Sequence, residues 1–178
     1  MILIDLVLAA AALTLVLLTW TAVRHLILGV PFVPAPGRSI AVALDQLGVR
    51  SGDVFCDLGA GDARVIIEAK RRVPGVAARG IEAVWPVWLA GRLRILFCRS
   101  QAKLLHGDAR LAAIGDVTAL FLYVTPALLA ELAPKLRDEL PAGARIVSVA
   151  FPVPGFTPQA QVPVETWRGR QMVWLYQR

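Results

Sequence analysis

A short apolar run at residues 53–58 contains Asp57 and is followed by a turn with two glycines, Gly59 and Gly61. Glycines let the backbone turn sharply and approach a ligand closely, and the N-terminus of a following helix offers free N–H groups. A dinucleotide-binding turn has a third glycine at the position where this chain has Arg64. The carboxylate of Asp57 would repel a pyrophosphate, whereas it can accept hydrogen bonds from an ammonium group. The turn therefore predicts a ligand that carries an amino group.

Two further acidic residues stand at the ends of the next two predicted strands. Glu82 follows Gly80-Ile81, and Asp108 follows His106-Gly107. An acid at the first position can accept hydrogen bonds from both hydroxyls of a ribose, and Asp108 is placed to accept one from an adenine amino group. Together with Asp57, these residues match the amino acid, ribose and base of S-adenosylmethionine, which we predict as the cofactor. The alternative is that the three acids cap the helices that follow them.

The elements that position these acids alternate between apolar strands and helices. Continuous apolar strands are typical of a parallel sheet that is buried on both faces, and ligands bind beyond the carboxyl ends of its strands. We predict an α/β fold of the Rossmann-like, doubly wound type, with a mostly parallel seven-stranded sheet and a C-terminal antiparallel hairpin. The predicted strands are residues 53–58, 76–82, 103–106, 117–124, 144–151, 160–166 and 171–177, and the predicted helices are residues 40–47 with Ser39 as N-cap, 62–72, 86–99 and 126–140.

The N-terminal segment is apolar enough to predict a membrane span. Residues 6–23 are 18 consecutive positions without a charge, and a hydrocarbon core about 30 Å thick needs roughly 20 helical residues. We predict one transmembrane helix at residues 2–23, within an anchor and juxtamembrane segment at residues 1–30, and one domain at residues 31–178. Positive charges follow the span, so we expect a single-pass membrane protein whose domain is cytoplasmic. A cleaved signal peptide and a buried core helix are the alternatives.

Charge and cysteine content exclude several other classes of protein. The chain has 178 residues, of which 57% are apolar, and a net charge of +6. Its longest basic cluster, Lys70-Arg71-Arg72, has no interleaved aromatic residue, so we expect no nucleic-acid partner. The positive charge is instead expected to hold the domain close to an anionic leaflet. Cys56 and Cys98 are too few for a disulfide framework or a structural zinc site, and we expect reduced thiols and no metal.

The glycine turn and the three acids resemble the class I, seven-stranded S-adenosylmethionine-dependent methyltransferases. Segments on both sides of the turn narrow the resemblance to the membrane-associated protein-lysine methyltransferases. The mitochondrial members of that group modify the adenine nucleotide translocase and the c subunit of ATP synthase. The resemblance covers most of residues 20–178, and the segments that carry it are VPFVPA, DLGAGDARVIIEA, KLRDELPAGARIVS, FPVPGFTP and VWLY.

The resemblance implies an activity and a set of cofactor contacts. The activity is methyl transfer from S-adenosylmethionine to a lysine of a membrane protein, by an enzyme anchored in the membrane. A small molecule or a lipid head group is the other class of acceptor, and a non-catalytic, membrane-tethered nucleotide-binding module is the alternative outside enzymes. The predicted cofactor-binding residues are Asp57, Leu58, Gly59, Ala60, Gly61, Asp62, Arg64, Glu82, Asp108 and Ala109.

The chain departs from the family at two positions, one of which concerns the acceptor. The family usually has glycine at position 63, where this chain has Ala63, and Asn-Pro-Trp after the second acid, where it has Ala-Val-Trp. Tyr123 ends the fourth predicted strand beside the expected methyl group, and we predict that its hydroxyl bonds the acceptor amine; packing under the next helix is the alternative. Phe32, Trp85 and Phe156 are predicted to wall the acceptor pocket, with the core or the membrane interface as alternatives.

Overall fold

A computed structural model describes the backbone of residues 2–28 and 33–178 and the side chains of residues 3–19 and 33–178. Of the predicted site residues, Phe32 lies outside this part. The helices are α1 (Ile2–Leu28), α2 (Gly37–Leu47), α3 (Arg64–Arg72), α4 (Trp85–Phe97) and α5 (Pro126–Glu139). The strands are β1 (Val54–Leu58), β2 (Ala77–Glu82), β3 (Lys103–His106), β4 (Ala119–Leu122), β5 (Arg145–Val149), β6 (Ala160–Thr166) and β7 (Gly169–Gln177).

The strands form one seven-stranded sheet in the order β3-β2-β1-β4-β5-β7-β6. The first five strands are parallel, and β7 runs antiparallel to both β5 and β6. This topology confirms the predicted Rossmann-like sheet and its C-terminal hairpin. Leu58 pairs with Ile81, and Glu82 pairs with His106. The carboxyl ends of β1, β2 and β3 therefore meet on one side of the sheet, which we call the carboxyl edge.

Helices cover both faces of the sheet, as its apolar strands require. Phe55 of β1 packs in a cluster with residues of α2 and α3, whereas Cys56 and Leu58 pack in a second cluster with residues of α5. All four residues of β4 are buried. Because successive side chains of a strand alternate between faces, Asp57 lies on the same face as Phe55, beneath the N-terminal side of α3.

Helix α2 begins three residues before the predicted start, and the predicted N-cap is wrong. Pro36 is the N-cap residue, and no side chain caps this end of the helix. Ser39 lies inside the helix, is fully buried, and donates a hydrogen bond of 2.8 Å from its Oγ to Gln171 Oε1 on β7. Its hydroxyl therefore joins α2 to the C-terminal hairpin.

Residues 2–23 are helical, as predicted, and they belong to α1. The described part of the chain nevertheless contains no helix that is both long and apolar enough to cross a membrane. The predicted transmembrane span at residues 2–23 is not supported by this finding.

Candidate functional site

A cavity opens at the carboxyl edge, where most of the predicted cofactor-binding residues come together. It is lined by the segment before α2, the glycine turn, the ends of β2 and β4, the turn after β3 and the start of α5. Its main lining residues are Val33, Pro34, Ala35, Asp57, Gly59, Ala60, Gly61, Asp62, Arg64, Ile81, Glu82, Asp108, Ala109, Tyr123 and Val124.

Asp57 is a buried carboxylate that faces this cavity. Its residue is only 2% exposed, and no residue in the described part of the chain donates a hydrogen bond to its side chain. Burial raises the pKa of Asp57 well above its ordinary value, and the charges of Glu82 and Asp62 raise it further. A buried carboxylate without a partner is costly. A cationic group in the cavity would supply the missing hydrogen bonds and the opposite charge.

The turn after β1 has the backbone conformation that its glycines permit. Gly59 and Gly61 adopt positive φ angles of 81° and 54°. The N–H groups of Gly59 and Ala60 donate hydrogen bonds of 3.0 and 2.9 Å to the carbonyl oxygen of Ile81, so the turn is held against β2. Ala63 also has a positive φ, of 66°. The position where the family usually has glycine is therefore one where an L-residue is strained.

Glu82 is held at the end of β2 by two backbone donors. Its Oε2 accepts a hydrogen bond of 2.9 Å from Gly61 N, and its Oε1 accepts one of 2.8 Å from Val84 N. Burial raises the pKa of Glu82, while the hydrogen bonds oppose that shift. A carboxylate oxygen has two lone pairs, so each oxygen can accept a further hydrogen bond. The carboxylate is thus fixed in place with acceptor capacity left for a ligand's hydroxyl groups.

Asp62 has a different environment, because two arginines surround it. Arg64 donates hydrogen bonds of 2.8 and 2.7 Å from Nε and Nη2 to the two carboxylate oxygens, and Arg94 of α4 lies 3.0 Å from Oδ2. Burial raises the pKa of Asp62, but the bonds and charges of the arginines outweigh it, so that the pKa is lowered. Arg64 also donates to the carbonyl oxygen of Ala35. This cluster therefore joins the turn to α4 and to the segment before α2.

Asp108 and Ala109 lie in the turn after β3 and line the cavity. Asp108 Oδ1 accepts a hydrogen bond of 2.9 Å from Arg110 N. Ala109 is buried at 7% exposure and adds an apolar wall beside Ile81. A carboxylate next to two apolar side chains can bind a flat heterocycle that carries an amino group.

Tyr123 lies one residue beyond β4 and lines the cavity. Its hydroxyl oxygen accepts a hydrogen bond of 3.2 Å from Gln171 Nε2, and Gln171 Oε1 accepts the bond from Ser39. A chain of hydrogen bonds thus orients the phenol from α2 through β7. Sequence reasoning finds neither Gln171 nor this role of Ser39, because they are 132 residues apart and no local pattern links them.

Three other predicted site residues lie away from the cavity lining. Leu58 is fully buried in the core on the α5 side of the sheet. Trp85 is 42% exposed at the start of α4, where its ring lies 6.4 Å from that of Trp88. Phe156 packs edge-on against Tyr176. Sequence reasoning also missed the cavity wall formed by residues 33–35, although Pro34 and the neighbouring Pro36 restrict the backbone of this segment.

The cavity offers a contact for each of the three parts of S-adenosylmethionine: its amino acid, its ribose and its adenine. Asp57 lacks the cationic partner that an amino group provides, and Glu82 has acceptor capacity for ribose hydroxyls. Asp108 and Ala109 offer a polar and an apolar contact to adenine. The fold and this site together define a class I S-adenosylmethionine-dependent methyltransferase.

Comparison with known families gives the same answer. The family model described as the ANTKMT methyltransferase domain matches residues 57–160, which is more than half of the chain. The chain therefore belongs to this family of methyltransferase domains, and S-adenosylmethionine is its cofactor.

The curated relatives include proteins from animals and an archaeon. The adenine nucleotide translocase lysine N-methyltransferase of Mus musculus is 33% identical over 84% of this chain and 63% of its own length. The Rattus norvegicus lysine N-methyltransferase of the ATP synthase c subunit is 30% identical over 82% of this chain and 65% of its own length. A protein-lysine N-methyltransferase of Saccharolobus islandicus is 29% identical over 83% of this chain and 92% of its own length. The chain thus spans less than two thirds of both animal proteins.

A solved structure also resembles this chain closely. It is an RNA methyltransferase from Salinibacter ruber in complex with S-adenosyl-L-homocysteine, with 28% sequence identity and a TM-score of 0.76. The similarity covers 82% of this chain and 93% of that one. Its bound S-adenosyl-L-homocysteine is the product that remains after S-adenosylmethionine has given up its methyl group.

Proposed function

We propose that this chain is an S-adenosylmethionine-dependent protein-lysine N-methyltransferase that acts on a membrane protein while attached to the membrane. The observation that carries the enzymatic part is the buried carboxylate of Asp57, which lines the cavity without a partner among the described residues. The acceptor class is supported by the relatives, because the animal and archaeal proteins are all called lysine N-methyltransferases.

The chain's own residues bind and orient the cofactor. Asp57 accepts hydrogen bonds from the amino group, Glu82 from the ribose hydroxyls, and Asp108 from the adenine amino group. The glycine turn lets the backbone approach the ligand closely. S-adenosylmethionine supplies a methyl group on a positively charged sulfur. When the acceptor nitrogen attacks the methyl carbon in line with the carbon–sulfur bond, the sulfur leaves as a neutral thioether. The protein's main task is therefore to orient donor and acceptor and to exclude water.

The acceptor lysine must lose a proton before its nitrogen can attack the methyl carbon. Its reference pKa is about 10.4, and both an apolar environment and a nearby positive charge lower it. Tyr123 stands at the end of β4, and its oxygen can accept a second hydrogen bond beside the one from Gln171. We assign Tyr123 the role of holding the amine N–H, so that the nitrogen lone pair points at the methyl carbon.

Membrane attachment is proposed from the surface of α1. Its side chains at residues 3–19 are all exposed, and they include large apolar ones such as Leu3, Leu8 and Leu18 at 74%, 63% and 63%. Exposed apolar surface of this extent marks a protein or membrane interaction site. Two relatives are named for the adenine nucleotide translocase and the c subunit of ATP synthase. Confinement at a membrane raises the effective concentration of an acceptor there.

The acceptor can be identified by labelling. Membranes from a strain that lacks this gene are incubated with the purified full chain and S-adenosylmethionine labelled in its methyl group. Protein, lipid and RNA are then separated, and labelled protein is digested for mass spectrometry. The proposal predicts label on lysine side chains of a membrane protein, and no label with the Asp57→Ala variant. Label confined to lipid, RNA or small molecules would overturn the lysine assignment. A chain that binds the cofactor but labels no fraction would be a non-catalytic binding module.

A further inference from the structure

Helix α4 has two apolar faces, and one of them is exposed. Val87, Gly91 and Ile95 form the face that is buried against the sheet. The opposite face carries five large apolar side chains, between 36% and 83% exposed. They follow helical spacing and form one continuous row, which we call the α4 stripe: Trp85, Leu89, Leu93, Leu96 and Phe97.

Such a row needs an explanation, because the outer face of a surface helix is normally polar. Helix α1 contacts α4, and the α4 stripe stays exposed with α1 in place. Arg92 shares this exposed face, by its helical position. The α4 stripe is thus apolar along its length and has an aromatic residue at each end, and a cation lies beside it.

These features fit the interface of a lipid bilayer better than a second copy of the chain. Leucine and phenylalanine insert among acyl chains, tryptophan prefers the head-group region, and arginine binds lipid phosphate. Two copies packed through this face would bring their Arg92 side chains together, and each copy carries a net charge of +6. An anionic leaflet offers the complementary charge.

We propose that α4 lies in the interface of an anionic bilayer, with the α4 stripe facing the acyl chains. This inference rests on the membrane location proposed above. It also places the cofactor turn close to the lipid, because the buried side of α4 packs directly on that turn. A Cβ built on Gly91 would be 3.1 Å from the Gly61 carbonyl oxygen, and Arg94 pairs with Asp62. The cavity is then held beside the membrane surface.

A polarity-sensitive dye on the stripe tests this placement without any methyl transfer. Cys98 is exposed and is changed to serine, while Cys56 is buried and burial raises its pKa to about 12, so it does not react. In the full-length Cys98→Ser chain, Leu96→Cys carries the dye on the stripe. The matched control is Leu105→Cys, because Leu105 is a half-exposed leucine on the opposite face of β3 from the core residue Leu104.

Both labelled chains are mixed with vesicles of phosphatidylcholine and phosphatidylglycerol that contain a nitroxide-labelled lipid. We expect the dye at position 96 to shift to the blue and be quenched, and the dye at position 105 to do neither. Adding Leu93→Ser and Phe97→Ser to the chain labelled at position 96 should abolish the quenching of the dye. The chain should still float with the vesicles in a density gradient. If the chain labelled at position 96 floats with the vesicles but its dye is not quenched, this inference alone is overturned. If the chain does not float with the vesicles, the proposed membrane location is overturned as well. A blue shift at high protein concentration without vesicles would assign the stripe to a second copy, against the inference.

Discussion

The backbone N–H of Gly61 donates a 2.9 Å hydrogen bond to Glu82 Oε2, across 21 residues of sequence. This bond ties the turn after β1 to the end of β2, and both parts line the cofactor cavity. Val84 N holds the other carboxylate oxygen. Glu82 therefore shapes the cavity, and we propose that it also accepts hydrogen bonds from the ribose, so small changes at this side chain should affect cofactor binding.

Replacing Glu82 with glutamine should weaken cofactor binding while preserving the fold. Glutamine keeps the size of the side chain but has one acceptor oxygen in place of two, so it loses the bond to either Gly61 or Val84. The ligand's hydroxyl groups would also lose one of the two charged acceptors, and a hydrogen bond to a charged group contributes about 1.5–3 kcal/mol, so we expect the dissociation constant for S-adenosylmethionine to rise roughly 10–100-fold. Isothermal titration calorimetry measures this dissociation constant. Glu165→Gln is the control, because it is the same substitution at an exposed glutamate. Equal affinities for the two variants would remove Glu82 from the site.

A larger residue at position 91 should disturb the turn through α4. The first side-chain atom added to Gly91 would lie 2.6 Å from Leu104 Cδ2 and 3.1 Å from the carbonyl oxygen of Gly61. Overpacking of this kind costs about 1–3 kcal/mol. We expect Gly91→Val to lower the free energy of unfolding by that amount in urea and to weaken cofactor binding. Ala90→Val is the control, since Ala90 is exposed on the same helix and receives the same residue. Helix propensity alone would make Gly91→Val slightly stabilising and Ala90→Val destabilising, so a loss of stability in Gly91→Val no larger than that in Ala90→Val would contradict the role of the contact.

Loss of the Tyr123 hydroxyl should affect the rate and leave cofactor binding unchanged. Tyr123→Phe removes the hydroxyl that we propose orients the amine, and we expect kcat to fall roughly tenfold or more, the effect of one hydrogen bond. Gln171→Leu should give a smaller fall, because the phenol remains but loses its orienting donor. Single-turnover kinetics measure the rate of methyl transfer, and calorimetric titration measures the affinity for S-adenosylmethionine. An unchanged kcat in Tyr123→Phe would leave Tyr123 with a packing role only.

The pH dependence of stability should report on Asp57. Burial raises its pKa above the ordinary value of 3.8, and Glu82 and Asp62 add to the shift. The folded state therefore holds a proton that the unfolded state has released, so the free energy of unfolding falls as pH rises from 3.8 through the raised pKa. Asp57→Asn does not titrate, and we expect the cofactor-free variant to lose this slope and to be the more stable chain at the upper end of the window. Thermal unfolding across pH tests this, and parallel curves for the two chains would contradict it.

The parts of the site that lie at strand ends could be predicted from the sequence. Apolar strands, a glycine turn and an acid at each strand end are local patterns, and parallel pairing brings Asp57, Glu82 and Asp108 to one edge. The same local pattern predicts Leu58 at the cofactor because it is adjacent to Asp57 in the sequence. Side chains alternate along a strand, however, so Leu58 packs in the core on the other face of the sheet. Contacts between distant segments had no local signal, and the bond from Ser39 to Gln171 is of this kind.

The strain at Ala63 shows the value of a departure from a family pattern. The sequence has alanine where the family resemblance leads us to expect glycine, and the backbone there has a φ of 66°. The family's glycine thus reflects a backbone requirement that this chain meets with a strained residue. The departure after Glu82 consists of Ala83 and Val84, and both residues line the cavity just before α4 begins at Trp85.

Titration calorimetry of S-adenosylmethionine into the full chain tests the central claim most directly. We predict saturable binding, at least about tenfold weaker binding to Asp57→Ala because the proposed charged partner of the amino group is lost, and no binding of NAD. Undiminished affinity of the Asp57→Ala variant, or binding of NAD in place of S-adenosylmethionine, would contradict it.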